Sequence, residues 1–147
     1  MEGNCRNIYY NARRASGFTQ ERWAEHLGVS PEAVRQYESG KIMPSDDIVL
    51  QMAEISEQLK LPYWHLQRKS RIAGAILPEL EENKGLPEAV LDLLIQIDDF
   101  KTDGLPKLMR IAADGQISDE ELADYDHAVE QLQELIRKAF AIGFAKE

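Results

Sequence analysis

Between Pro31 and Ser39 the chain reads PEAVRQYES, and on a helix advancing about 100° per residue Glu32, Arg35, Gln36 and Ser39 all turn away from Val34. Taking Val34 as the inward reference, Tyr37 lies about 60° to one side and Glu38 about 40° to the other. The outward set is a hydrogen-bonding one. An arginine fork matches the acceptors of guanine, a glutamine amide matches adenine, and a carboxylate accepts from the cytosine amino group. Any solvated helix shows a polar face, so the face alone identifies no partner. What singles it out is the segment before it, Gly28-Val29-Ser30-Pro31: a glycine to end one helix, a serine to cap the next, and a proline at its first position. Two short helices must meet across a very tight turn.

Glu38 is the second chemical signal. It falls on the inward side of this helix, where an unpaired carboxylate is costly to desolvate, so a cationic partner is expected, with Arg13 or Arg14 the nearest candidates. The elements that must position these groups follow from the breakers and caps. A first helix runs from about Arg6 to Ala15 and stops at Ser16-Gly17, with Ile8 and Ala12 inward. A second begins at Thr19 and ends at Gly28, and the third ends at Gly40. A fourth starts at Ser45, with Asp46 and Asp47 in its first turn and Ile48, Met52, Ile55 and Leu59 on one stripe. A fifth surrounds PYWHLQ. Helix formers dominate and β-branched runs are few, so the fold class is all-α.

The 147 residues suffice for one ordinary domain or two small ones, and 44% hydrophobic with 29% charged residues describes a globular chain. No segment approaches a membrane span and none reads as a secretory signal, so the expected location is cytoplasmic, without a membrane partner. Cys5 alone builds no intramolecular disulfide, and His26, His65 and His127 stand singly, so neither metal nor cofactor is expected. Charge divides the chain. Residues 1–71 hold ten Lys/Arg against nine Asp/Glu, whereas residues 72–147 hold seven against seventeen. The shift falls in RKSRIAGAILPELEENKG, giving a first domain over 1–70, a linker over 71–85 and an acidic helical domain over 86–147.

Arg13, Gly17-Phe18-Thr19-Gln20, Ala24, Leu27-Gly28-Val29-Ser30, Val34, Tyr37-Glu38-Ser39-Gly40-Lys41 and Pro44 stand in order at a spacing that resembles the helix-turn-helix of the phage lambda repressor and Cro family, the XRE family. The resemblance covers about 60 residues. It implies a five-helix DNA-binding domain with helix two across the backbone and helix three, about 31–39, in the major groove of double-stranded DNA. It also implies that Arg13 pairs with Glu38. Gln20 would touch phosphate and brace helix three, Glu32, Ala33, Arg35 and Gln36 would face bases or adjacent backbone, and Lys41 would approach phosphate. With Ser30 and Ser39 these form the expected DNA-contacting set. The chain departs from the family in carrying Trp23 where leucine is usual, Pro31 and Glu32 where some members present amides, and an uncharged loop Ile42-Met43-Pro44-Ser45. Weak, strongly salt-sensitive non-specific affinity follows.

In the second half, three further helices are expected: LPEAVLDLLIQIDDF, LPKLMRIAAD and a long one from about Asp119 to Ile142. Asp114-Gly115 followed by Glu121 has the outline of half a calcium loop, but Arg110 and Ala112 occupy two ligand positions, and Ser118 with Glu121 reads as a capping box. Ala73-Gly74 matches the dipeptide at which some phage repressors cleave themselves, yet no serine–lysine machinery accompanies it, so no enzyme is expected. Leu122, Tyr125, Val129, Leu132, Ile136 and Phe140 form an apolar stripe on the last helix, read as a packing seam and as a homodimer surface. The sequence thus points to a DNA-binding transcriptional repressor acting as a homodimer. Its alternative is an antitoxin-like or adaptor module that grips a protein partner through the acidic half.

Overall fold

A computed structural model describes residues 7–80 and 84–145, and every regular element among them is helical. Arg6, read as the start of the first helix, and Cys5 lie outside the described residues. Contacts divide the chain between Leu77 and Pro78 into two units.

The first unit contains α1 (Ile8–Ala15), α2 (Gln20–Leu27), α3 (Pro31–Ser39), α4 (Asp46–Ser56), α5 (Leu61–Lys69) and α6 (Arg71–Ile76). Helices this short are marginal in water, so their ends are fixed by caps and their faces by burial. The Asn7 carbonyl oxygen of the side chain accepts from the Tyr9 amide, Thr19 Oγ1 from Arg22, Ser30 Oγ from Ala33 and Ser45 Oγ from Ile48. Gly28 sits at φ 66°, in the left-handed region that favours glycine, and lets the Val29 amide return to the Ala24 carbonyl at 3.0 Å. Only Gly28, Val29 and Ser30 separate α2 from α3. The core beneath them is Ile8, Tyr9, Ala12, Trp23, Ala24, Leu27, Val34, Val49, Met52 and Leu61, with Trp23 completely buried.

Two sequence expectations need adjustment here. The stripe on α4 stops short of Leu59, because Glu57 takes up a left-handed conformation (φ 55°) and the Gln58 amide turns back to the Ala53 carbonyl. Leu59 is exposed, and the fully buried α4 residues are Val49 and Met52. In addition, α6 occupies the beginning of the segment read as a linker, capped by the Ser70 hydroxyl accepting from Ala73.

Two polar nodes tie the first unit together. Arg13 donates through Nε to Glu38 Oε1 at 2.5 Å, through Nη2 to Glu38 Oε2 at 3.2 Å, and through Nη1 to the Phe18 carbonyl at 2.7 Å. Both side chains of this pair are only 7% exposed. His65, also buried, joins α5 to α1 and α4: its Nε2 donates to Asp46 at 3.0 Å, so in the neutral ring Nδ1 accepts from the Tyr9 hydroxyl at 2.8 Å. Lys69 adds a 2.6 Å bond to Asp46. That bond, followed by the one from His65, holds the Asp46 carboxyl below its ordinary 3.8.

The second unit contains α7 (Leu86–Asp99), α8 (Leu105–Ile111) and α9 (Leu122–Phe144). Instead of the loop expected between α7 and α8, residues Phe100–Gly104 form a π-helical turn that keeps the helix continuous. Pro106 explains it: the ring removes one amide donor and crowds the preceding turn, and the wider π spacing absorbs both. Gly104 is required there, since an added Cβ would run into the Gln131 amide oxygen and the Phe100 ring. On α9 the fully buried residue is Ala128. The expected seam is only partly covered within the chain: Leu122, Leu132 and Ile136 are exposed while Tyr125, Val129 and Phe140 are half-buried. The Ser118–Glu121 pair forms, with the Ser118 amide and hydroxyl both donating to the Glu121 carboxylate, although α9 proper starts at Leu122. Lys84 bonded to Asp92, and Lys107 with His127 around Asp103, hold those two carboxyls below 3.8 as well.

Three outcomes follow from this packing. Arg13→Ala strands Glu38 inside the first unit and is expected to cost about 3–5 kcal/mol in urea denaturation; an unchanged midpoint would show the pair to be dispensable. Gly104→Ala overfills the π turn and is expected to cost about 1–3 kcal/mol by the same measurement. Because the carboxyls of Asp46, Asp92 and Asp103 are depressed on folding, the stability they confer is complete above 3.8 and declines as pH falls through their folded values. Circular dichroism against pH should therefore show a drop confined to the region below 3.8, smaller in D92N/D103N.

Candidate nucleic-acid interface

The orientation of α3 follows from its inner side. Val34 is 1% exposed and points into the core, and Glu38, one turn later, is locked onto Arg13. On a rigid helix this phase leaves Glu32, Arg35 and Ser39 exposed and Gln36 and Ala33 half-exposed on the outside. The amide nitrogen of Asn7 donates to the Tyr37 carbonyl at 2.5 Å, which adds a second tie from the start of α1 to the end of α3.

Gln20 sits apart from this face. Its Nε2 donates to Glu38 Oε2 at 2.8 Å, so the bracing part of its expected role is visible as a hydrogen bond from α2 to α3. The nitrogen that would donate to phosphate is the one held by that carboxylate. Ser30 uses its oxygen to accept the Ala33 amide, and the Ser39 hydroxyl donates to the Gln36 carbonyl at 3.1 Å. Both hydroxyl groups are at the exposed surface and retain further hydrogen-bonding capacity. Lys41 is exposed just beyond Gly40, and its own amide closes the helix end on the Gln36 carbonyl at 3.0 Å.

Within the outward set, residue types alone do not convey one feature. Glu32 Oε2 accepts from Arg35 Nε at 2.9 Å, and Glu32 Oε1 accepts from Gln36 Nε2 at 3.4 Å. The three side chains form one connected group. The i,i+3 and i,i+4 spacings from Glu32 were the available signal. Arg35 remains 48% exposed and Glu32 62%, so water competes with the pair, and the bond to Glu32 uses only Nε of Arg35. Around this face Arg14 and Arg22 are exposed, as are Glu21 and Glu25, so the positive and negative charges alternate.

The face can therefore offer a guanidinium fork, an amide, two hydroxyl groups and a lysine to a polar ligand, all from one helix and its two ends. His65 and Asn7, which carry much of the support, were missed by sequence reasoning because their partners lie far away along the chain.

No helix among the described residues is long and apolar enough to cross a membrane. No curated protein and no solved structure matches the chain. A family model described as helix-turn-helix matches residues 10–55, which span α1 to α4 and so contain both Arg13–Glu38 and the whole outward face of α3. Over those residues the chain is similar to the helix-turn-helix domains of the XRE type, such as those of the lambda repressor and Cro.

Proposed function

We propose that this protein is a sequence-specific transcriptional regulator, acting as a repressor, in which α3 enters the major groove and a homodimer formed through the second unit presents two copies of it. The observation that carries the reading is the phase of α3: Val34 and Glu38 are fixed inward, so Arg35, Gln36, Glu32 and Ser39 face out together from the domain that the family model matches. Arg35 is assigned to a guanine through its terminal fork and Gln36 to an adenine or adjacent backbone. Glu32 accepts from a cytosine amino group, or stays bound to Arg35. Ala33 lies against the bases, Ser30 and Ser39 contact backbone at the two ends of the helix, and Lys41 contacts phosphate. Gln20 braces α3 through Glu38. The proposed location is the cytoplasm, and the proposed ligand is double-stranded DNA.

One observation favours a second reading, an antitoxin-like or adaptor module without strong DNA binding. Arg35 and Gln36 are both bonded to Glu32, and each must exchange that bond to reach a base. The acidic second unit would then be the partner-binding part.

In vitro selection from randomised duplex DNA at about 50 and 200 mM salt separates the two. The expected result is a palindrome with half-site centres about ten base pairs apart, enriched at both salts. Arg35→Ala and Gln36→Ala should each weaken binding to that site by roughly 1–3 kcal/mol with an unchanged melting temperature. No enrichment at either salt would favour the adaptor reading, and unchanged binding by both variants would remove these residues from the interface.

A further inference from the structure

Among the outward side chains of α3, Arg35 is the one cation and Glu32 the one anion. The Glu32 carboxylate divides itself between the two groups best suited to read bases, with Oε2 on Arg35 Nε and Oε1 on Gln36 Nε2. Standing three and four residues before them, Glu32 shares their side of the helix. Charge on the outer face therefore cancels locally. The grip is also shallow, because both members of the ion pair are about half open to water.

We propose that Glu32 is a specificity-determining residue that acts as an internal competitor. It holds Arg35 and Gln36 against non-cognate duplex and yields them to a base pair that offers matched acceptors. The inference rests on the DNA-binding reading above and gives Glu32 one part in it, competitor rather than reader of cytosine.

The argument turns on what each DNA group brings to the site. A phosphate can take an arginine fork as well as a guanine can, but it is an anion. To reach Arg35 it must displace the carboxylate and then lie beside it. Guanine N7 and O6, and adenine N7, are neutral acceptors that meet no such repulsion. A base that presents one ill-placed acceptor repays the displaced bond poorly. Random duplex is bound chiefly through phosphates, so the carboxylate removes Arg35 from non-specific binding and leaves it available for specific binding. Discrimination is gained by raising the cost of wrong ligands, with no new contact to the right one.

The test compares the full-length wild type, Glu32→Gln and Arg35→Ala/Gln36→Ala with and without Glu32→Gln, titrated by fluorescence anisotropy against the selected site and random duplex. At about 50 mM salt, Glu32→Gln should tighten binding to random duplex roughly tenfold and steepen its salt slope by about one phosphate contact. Binding to the selected site should tighten less than about threefold, so the specificity ratio falls. In the Arg35→Ala/Gln36→Ala background the gain on random duplex should shrink by at least half on a logarithmic scale. A merely structural pair would shift the melting temperature and leave the ratio unchanged, which overturns the proposal. Weaker binding of Glu32→Gln to the selected site makes Glu32 a direct base reader and overturns it as well. So does a gain that survives in the double-variant background, since removal of one negative charge then suffices. A wild type that selects no site sinks the DNA-binding reading itself, whereas an unchanged ratio at a selected site sinks the competitor alone.

Discussion

The carboxylate of Glu38 is the point on which the first unit depends. It accepts two bonds from Arg13 on α1 and one from Gln20 on α2 while itself belonging to α3. Hydrophobic burial holds these helices together, but burial is non-directional and tolerates rotation of a two-turn helix about its axis. A carboxylate with three donors does not. Arg13 has a further bond to the Phe18 carbonyl, so the same guanidinium also fixes the turn between α1 and α2. The outward residues of α3 inherit their direction from this node: Arg35 and Ser39 are fixed in angle relative to Glu38 by the helix itself. Satisfying every oxygen of the carboxylate is also what makes its burial tolerable, since a charge desolvated without partners would be costly.

How much of this was legible in the sequence depended on the range of the interaction. Caps and stops were legible because Thr19, Ser30 and Ser45 act on amides three residues ahead and Gly28 acts on its own backbone. Inward Glu38 was legible from phase, and its partner could be narrowed to Arg13 or Arg14 before the family resemblance chose between them. The bracing role of Gln20 came from the family resemblance, but His65 and Asn7 were different. Their partners lie 19 to 56 and 30 residues away, and no local pattern states which distant group a side chain will meet. The α9 stripe was legible only in part, for another reason: a hydrophobic stripe says that one face is apolar, but the fully buried residue of α9 is Ala128, whose small side chain weighs little in any such pattern.

The grip of Glu32 on Arg35 and Gln36 bears on selectivity. An exposed ion pair between neighbouring turns contributes only ~0.5 kcal/mol, against roughly 1–3 kcal/mol for a good bidentate contact to a base. On the DNA-binding reading, a correct base pair overcomes the grip easily. A base offering a single poor acceptor gains much less over it, and an approaching phosphate meets the Glu32 charge as well. On that reading Glu32 would disfavour wrong sequences more than right ones, so that a residue of the unfavourable sign for DNA would contribute specificity.

Charge distribution extends the same argument to the whole chain. With ten Lys/Arg against nine Asp/Glu in residues 1–71 and seven against seventeen beyond them, one chain gathers little phosphate attraction, and phosphate attraction supplies most non-specific affinity. A low non-specific background is compatible with a regulator only if specific affinity arises elsewhere. On the dimeric reading, joining two copies of α3 in one particle would supply it, because the second half-site would then be bound at high effective concentration without any added positive charge. On the same reading, an acidic second unit with exposed apolar residues would suit that division of labour: it would repel the duplex and leave binding strength to depend on assembly and not on charge.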